Sequence, residues 1–228
     1  MNVLFIGAKC HARILRRILL AEPHLGPLYR FPLVYDRDPA TVPPWDGCDL
    51  LHEGRNVFAE ADKRRCTHFV VAIGSNGKRR AEFSEELVKA GLLPLSVVHQ
   101  TAYIGEETKI GRGAQILANT NVGDEVTIGD WCMMHTTSSV EHQSVLEDGV
   151  TVMAGASLMG EVTAKKYSTI GGHATVMRCT IGEAAMVGAG ALVVKDVPAG
   201  VTVVSPAAVP LKSAQRRARF FVDTHSSA

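Results

Sequence analysis

From Val98 onward, nearly every sixth residue of the chain is aliphatic. Aligned on Ile104, the segments read IGEETK, IGRGAQ, ILANTN, VGDEVT, IGDWCM, MHTTSS, VEHQSV, LEDGVT, VMAGAS, LMGEVT, AKKYST and IGGHAT. VMRCT then falls one residue short, and IGEAAM, VGAGAL and VVKDVP resume the phase. Fifth positions are small or β-branched, and glycine recurs at second place. A period of six fits neither an amphipathic helix nor an alternating strand. A short fixed repeat implies stacked coils that bury a continuous core between neighbours. The spacing predicts a triangular solenoid of short strands. The first residue of each hexad points inward, the fifth fits the tight corner, and second-place glycine supplies the turn conformation.

Residues 2–97 follow another pattern. VLFIG (Val3–Gly7), FPLVYD (Phe31–Asp36) and HFVVAIG (His68–Gly74) are short apolar runs ending in glycine or acid. HARILRRILLAE has Ile14, Leu15, Ile18 and Leu19 at helical spacing, and a second helix over 78–91 is stopped by Gly91 and Pro94. This order predicts a small parallel sheet with right-handed crossovers. Residues 39–66, rich in proline and charge, show no clear period.

Composition changes this picture little. Of 228 residues, 46% are apolar and 21% charged, with a net charge of +1, as in ordinary globular domains. No concentrated basic face calls for nucleic acid. No apolar run approaches the roughly 18–20 residues of a membrane span. MNVLFIGAKC lacks a basic n-region and cleavage site, so a secretory leader is not expected. Cys10, Cys48, Cys66, Cys132 and Cys179 are odd in number, scattered and without C-x-x-C, which fits reduced thiols in a cytoplasm.

Several motifs stand out: GAKCHA (Gly7–Ala12), YDRD (Tyr35–Asp38), AIGSNGKRR (Ala72–Arg80), TSSVEH (Thr137–His142) and VSPAAVP (Val204–Pro210). With the hexads, they resemble the left-handed β-helix acyltransferases. The branch they resemble comprises the sialic-acid-type sugar O-acyltransferases and the nucleotide-sugar N-acetyltransferases, including enzymes acting on UDP-linked bacillosamine precursors and GDP-perosamine. The resemblance covers about residues 2–210. It implies a Rossmann-like α/β domain at 1–97 that binds a nucleotide sugar, a left-handed parallel β-helix at 98–210, and a C-terminal tail at 211–228. It also implies a cytoplasmic homotrimer using acetyl-CoA, without a metal, in bacterial surface glycan synthesis.

Acetyl transfer to an amine or hydroxyl needs a base for the acceptor proton and donors for the carbonyl oxyanion. His142, third in its hexad and beside the buried stack, is the candidate base. Gln143 follows it where the resemblance expects Asp or Glu. Glutamine can hold a tautomer but stabilises imidazolium less than a carboxylate, so Gln143→Glu is expected to raise activity or the basicity of His142. Glu141 is the other nearby acid. His135 stands where relatives often carry Asn. It is read either as an acceptor contact or as an exposed histidine. Thr151 stands where some relatives place a histidine near the acyl donor.

The resemblance puts coenzyme A in a groove between subunits, with Gly160 at the oxyanion, Gly172 and Ala189 along the pantetheine arm, and Pro206 and Ala207 near the adenine. The acceptor site it implies comprises Gly7, Lys9, Cys10, His11, Asp36, Arg37, Gly74, Asn76 and His135. Lys9 either aids phosphate binding or narrows the site. Cys10 is read as a helix-start thiol or as a buried structural residue, the second preferred. Lys78, Arg79 and Arg80 are read first as a solvated helix start and second as a diphosphate contact. GAKCHA is not G-x-G-x-x-G, so a dinucleotide oxidoreductase is weakly supported. The spacing of His135, His142 and His173 does not suit a β-helix zinc site. The other functions weighed are sugar O-acetylation and a non-catalytic nucleotide-sugar-binding scaffold.

Overall fold

The computed structural model describes residues 1–206, so Ala207 and the tail at 211–228 lie outside the described residues. The first half holds β1 (Asn2–Ile6), β2 (Arg30–Tyr35), β3 (Asp49–Leu51), β4 (Cys66–Val71) and β5 (Leu93–Pro94) in one parallel sheet of order β3-β2-β1-β4-β5. Helices α1 (Cys10–Ala21), α2 (Val57–Lys63) and α3 (Gly77–Lys89) cover it. Alternating strand residues feed two cores. Val3, Phe5, Val34 and Val70 pack with Leu15 and Leu19 of α1. Leu4, Ile6, Leu33 and Phe69 pack with Ala61 of α2 and Leu87 of α3. Burial on both faces explains why these strands read as apolar runs rather than alternations.

The strands at β1, β2 and β4 and helices α1 and α3 fall where the pattern predicts. β3 and α2 arise in the stretch that gave no period. α2 is held by capping: the Asn56 side chain accepts from the N–H groups of Phe58 and Ala59, both at 3.1 Å.

The second half is a parallel β-helix running from Val97–Val98 to Thr202–Val203, its two-residue strands stacked in parallel sheets of six, five and seven. Before the short segment each strand pairs with the one 18 residues on, as Asn121 does with Ser139. At the short VMRCT segment the step falls to 17, and Thr163 pairs with Thr180. First-position residues such as Val140 and Leu158 are fully buried, and so are the fifth-position Ser144 and Ser168.

The turn residue is a correction. The left-handed conformation falls at the fourth position, at Glu107, Asn119, Glu125, Trp131, Thr137 and Gln143, not at the second-place glycines. Inter-coil hydrogen bonds hold it: Gln143 N–H donates to Asp124 C=O at 3.1 Å, and Glu161 N–H to His142 C=O at 2.9 Å. Second-place glycine instead allows close coil stacking. A Cβ at Gly123 would lie 2.8 Å from the His142 nitrogen, and one at Gly171 would lie 2.5 Å from the Val187 oxygen.

The two halves meet along a polar and aromatic seam. Arg80 of α3 is 1% exposed. Its Nε donates to Trp131 C=O at 2.7 Å, its Nη1 to Ile73 C=O at 2.8 Å and its Nη2 to Thr151 Oγ1 at 3.0 Å. Trp131 stacks on Phe69 with ring centroids 6.1 Å apart and donates to Glu85 at 2.9 Å. Beside this seam, Gly77 has no room for a side chain, which would run into the Gly149 carbonyl.

Candidate functional site

The chain leaves β1 for β2 on one side of the sheet, then returns to β4 on the other. Such a reversal opens a crevice outside the carboxyl ends of the strands. Here it is a cavity of about 810 Å³ bordered by Ile6 and Gly7 after β1, Tyr35 and Asp36 after β2, and Ala72, Ile73 and Gly74 after β4. The solenoid closes the crevice with His135 and Met153.

Of the predicted acceptor residues, Gly7, Lys9, His11, Asp36, Arg37, Gly74 and His135 border this cavity. Gly7 has φ of +102°, and a Cβ there would lie 2.9 Å from the Ala72 oxygen, so the loop requires glycine. Asp36 is nearly buried. One carboxylate oxygen accepts from Ala8 N–H at 2.7 Å and the other from Asp38 N–H at 2.9 Å, which ties the β1 and β2 loops together. Lys9 pairs with Asp38 at 3.1 Å, a contact that raises its pKa.

Two predicted residues fall elsewhere. Cys10 opens α1 and is exposed rather than buried, outside the cavity wall. Asn76 caps α3, its side chain accepting from Arg79 N–H at 2.9 Å. The basic run also divides. Lys78 is exposed, Arg79 borders the cavity and Arg80 is buried in the seam. Neither reading of the run anticipated Arg80, whose pKa desolvation pushes down to about 10.

Two imidazoles form the inner wall, their ring centroids 5.8 Å apart. Gln115 Nε2 donates to Val71 C=O at 2.8 Å, which turns its oxygen to His11 Nε2 at 2.9 Å. His11 therefore carries its proton on Nε2. Desolvation lowers its pKa. His135 Nε2 is buried without a partner among the described residues. Desolvation first, then the neighbouring His11 and Arg80, push its pKa down to about 4. Both rings are neutral near pH 7, and the unpaired nitrogen faces an unmet hydrogen bond. Gln115 was missed, because the sixth place of a hexad gives no sign of burial. Arg80 was legible: it shares the apolar stripe of α3 with Phe83, Ser84 and Leu87.

His142 lies at a different corner. It follows the strand Ser139–Val140 of the six-stranded sheet, whereas His135 follows Met133–Met134 of the seven-stranded one. His142 is exposed and does not border the cavity. Its ring lies against Gly160 of the next coil, where a Cβ would come within 2.9 Å of Cε1 and Nε2. Neither neighbour orients it. Gln143 donates to Glu125 at 3.1 Å, and Glu141 accepts from Asn121 at 3.2 Å.

The predicted donor-side residues divide in the same way. Gly160 shares the His142 corner, with its N–H leaning on Leu158 C=O at 3.2 Å. Gly172 and Ala189 follow strands of the seven-stranded sheet. Pro206 is exposed at the end of the described chain. Thr151 is corrected: it is fully buried with its hydroxyl bonded to Arg80, so it faces the seam instead of a groove.

No protein-family model matches the chain. A GDP-perosamine N-acetyltransferase of Escherichia coli is 32% identical over 179 residues, covering 76% of this chain and 79% of that protein. The fold is shared with a histidine-to-alanine variant of the GDP-perosamine N-acetyltransferase of Caulobacter crescentus, solved with CoA and GDP-perosamine. That match has a TM-score of 0.80 at 22% identity, covering 90% of this chain and 94% of the other. The acetyltransferase domain of PglB from Neisseria gonorrhoeae, solved with acetyl coenzyme A, has a TM-score of 0.76 at 23% identity, covering 92% and 98%.

Proposed function

From the family to which this chain belongs, the hexapeptide-repeat nucleotide-sugar N-acetyltransferases, we propose that it transfers the acetyl group of acetyl-CoA to the amino group of a nucleotide-linked amino sugar. One observation carries the reading to these residues: the crevice at the carboxyl ends of β1, β2 and β4, closed from the solenoid by His135. Its volume suits a nucleotide sugar, and its wall combines backbone turns for phosphate with two neutral imidazoles for sugar groups.

His142 acts as the base. It takes a proton from the acceptor nitrogen as that nitrogen bonds to the thioester carbonyl carbon. The oxyanion is held by the N–H of Gly160. Collapse re-forms the carbonyl, breaks the carbon–sulfur bond and releases coenzyme A, whose thiolate takes up a proton. Gly172 and Ala189, whose N–H groups carry no hydrogen bond within the described residues, serve the pantetheine arm. Pro206 and Ala207 serve the adenine.

His142 and Gly160 share one corner, while His135, Gly172 and Ala189 sit along another sheet. A homotrimer joins them across a groove between copies. Exposed Met159 and Met177, on the His142 sheet, fit an apolar contact there. In this reading the solenoid is left-handed and the first half is Rossmann-like, and the division expected at 97/98 moves to just before the Val97–Val98 strand.

The test is thiol release from acetyl-CoA with UDP- and GDP-linked amino sugars beside the free sugars. Turnover only with a nucleotide-linked amine supports the reading. Turnover on a sugar hydroxyl alone, or on none of these acceptors, sinks it. Light scattering that finds only monomer removes the shared groove.

A further inference from the structure

Arg13, Arg16 and Arg17 stand at i, i+3 and i+4 on α1, and so on one face. With Leu20, Pro44 and Trp45 they line a second cavity of about 220 Å³, which shares no residue with the acceptor crevice. Among the described residues, none of the three arginines is in an ion pair.

The wall is fixed in place. Trp45 Nε1 donates to Phe31 C=O at 3.1 Å, and Arg13 Nε donates to Pro44 C=O at 3.2 Å. The Arg16 guanidinium lies 5.1 Å from the Trp45 ring centre and 5.4 Å from that of Phe31. These ring contacts place the guanidinium, and among the described residues Arg16 Nε is buried without an acceptor. Like charges one turn apart repel, and a buried unpaired donor is costly. An anion entering this concavity answers both.

We propose that this pocket binds a phosphoryl group of a small molecule. Planar guanidinium forks match phosphate oxygens, and the small concave volume suits a single phosphoryl group rather than a lipid surface or an acidic protein segment.

The intact protein is titrated calorimetrically with inorganic phosphate, then with coenzyme A beside dephospho-coenzyme A. The same titrations are made on Arg16→Gln and Arg17→Gln. Saturable phosphate binding is expected, weakened about tenfold or more in each variant, while kcat for acetyl transfer at saturating acetyl-CoA is unchanged. A preference for coenzyme A over its dephospho form that disappears in Arg17→Gln assigns the 3′-phosphate as the source and moves the adenine away from Pro206 and Ala207. Equal responses assign the free anion. Absent phosphate binding, binding unchanged in the variants, or capture only by vesicles of anionic phospholipid each overturn the proposal. If Arg16→Gln loses its stacking and fails to fold, exposed Arg17 carries the test alone.

Discussion

His135 and His142 sit seven residues apart, each after one of two consecutive strands of one solenoid, yet their surroundings are opposite. His135 lies under the α/β half, beside His11 and the buried Arg80, with Nε2 enclosed and unpaired. His142 stands exposed at an open corner, with Gly160 against its ring. The repeat holds them one step out of phase: His135 is second in its hexad and donates its N–H to Val152 C=O at 2.8 Å, while His142 is third, at the turn, and accepts from Glu161 N–H at 2.9 Å. What differs more is the cover: one corner is roofed by a second layer of structure, the other is open. A solenoid position thus acquires its chemistry from whatever lies over it.

The sharpest test of this division is His142→Ala. If the open corner holds the base, turnover falls by about 10²–10⁴-fold while coenzyme A binding is retained, as read by steady-state thiol release and calorimetry. An unchanged rate would move the base to the roofed corner and end the comparison.

Next in size is the roof itself. Arg80→Met leaves the carbonyls of Trp131 and Ile73 without their donor. Losing the desolvated cation offsets part of that cost, so about 2–4 kcal/mol of stability should disappear in urea unfolding. A variant as stable as the parent would mean that Trp131, Glu85 and Gln115 hold the halves together without it.

Gly160→Ala probes the open corner from the next coil. Gly160 has φ of +65°, and the added methyl would crowd the His142 ring. Left-handed strain of about 1–2 kcal/mol and a displaced ring predict a loss of about ten- to a hundredfold in kcat, with KM for the acceptor little changed. A wild-type kcat would show that the ring is placed by something other than Gly160.

The roofed corner has a pH signature. The pKa of His135 falls from its ordinary 6.5 to about 4 in the folded chain. Above pH 6.5 neither the folded nor the unfolded form is protonated there. As pH drops from about 6.5 through about 4, the unfolded chain takes up a proton that the folded chain refuses, so stability declines across that window. His11 acts in the same direction. His135→Asn should flatten part of the slope of melting temperature against pH and change acceptor KM more than kcat. Parallel slopes for variant and parent would mean that the ring is not held neutral by its surroundings.

These corners were unequally legible in the sequence. In the solenoid, one aliphatic and one small residue per hexad report the core directly, so Val140 and Ser144 could be placed from spacing alone. The phase also marked His142 as surplus to the scaffold. It did not show the turn position, because non-glycine residues such as Gln143 adopt the left-handed conformation under inter-coil hydrogen bonds that no local sequence reveals. In the α/β half, loops after glycine- or acid-ended strands pointed to the crevice. What supports its wall was hidden, since Gln115 behind His11 and Thr151 in the seam are buried by contacts with a distant part of the chain. Burial across a seam is a tertiary property, and periodicity carries only the period of its own element.

The smallest effect concerns Gln143. Read from the sequence, Gln143→Glu restores a carboxylate beside the base and raises its basicity. The geometry argues otherwise. Gln143 occupies the left-handed fourth position, and its amide reaches back to Glu125 in the preceding coil instead of to His142. A glutamate there would face another carboxylate, and both are exposed, so repulsion amounts to a few tenths of a kcal/mol at physiological salt. The side chain would swing into solvent without reaching the imidazole. Turnover is therefore expected to stay within about threefold of the parent, and the pH–rate profile of kcat/KM should keep its midpoint. A shift of a full pH unit would mean that residue 143 turns toward His142 once a neighbouring copy closes the corner, giving the open histidine the kind of cover that already surrounds His135.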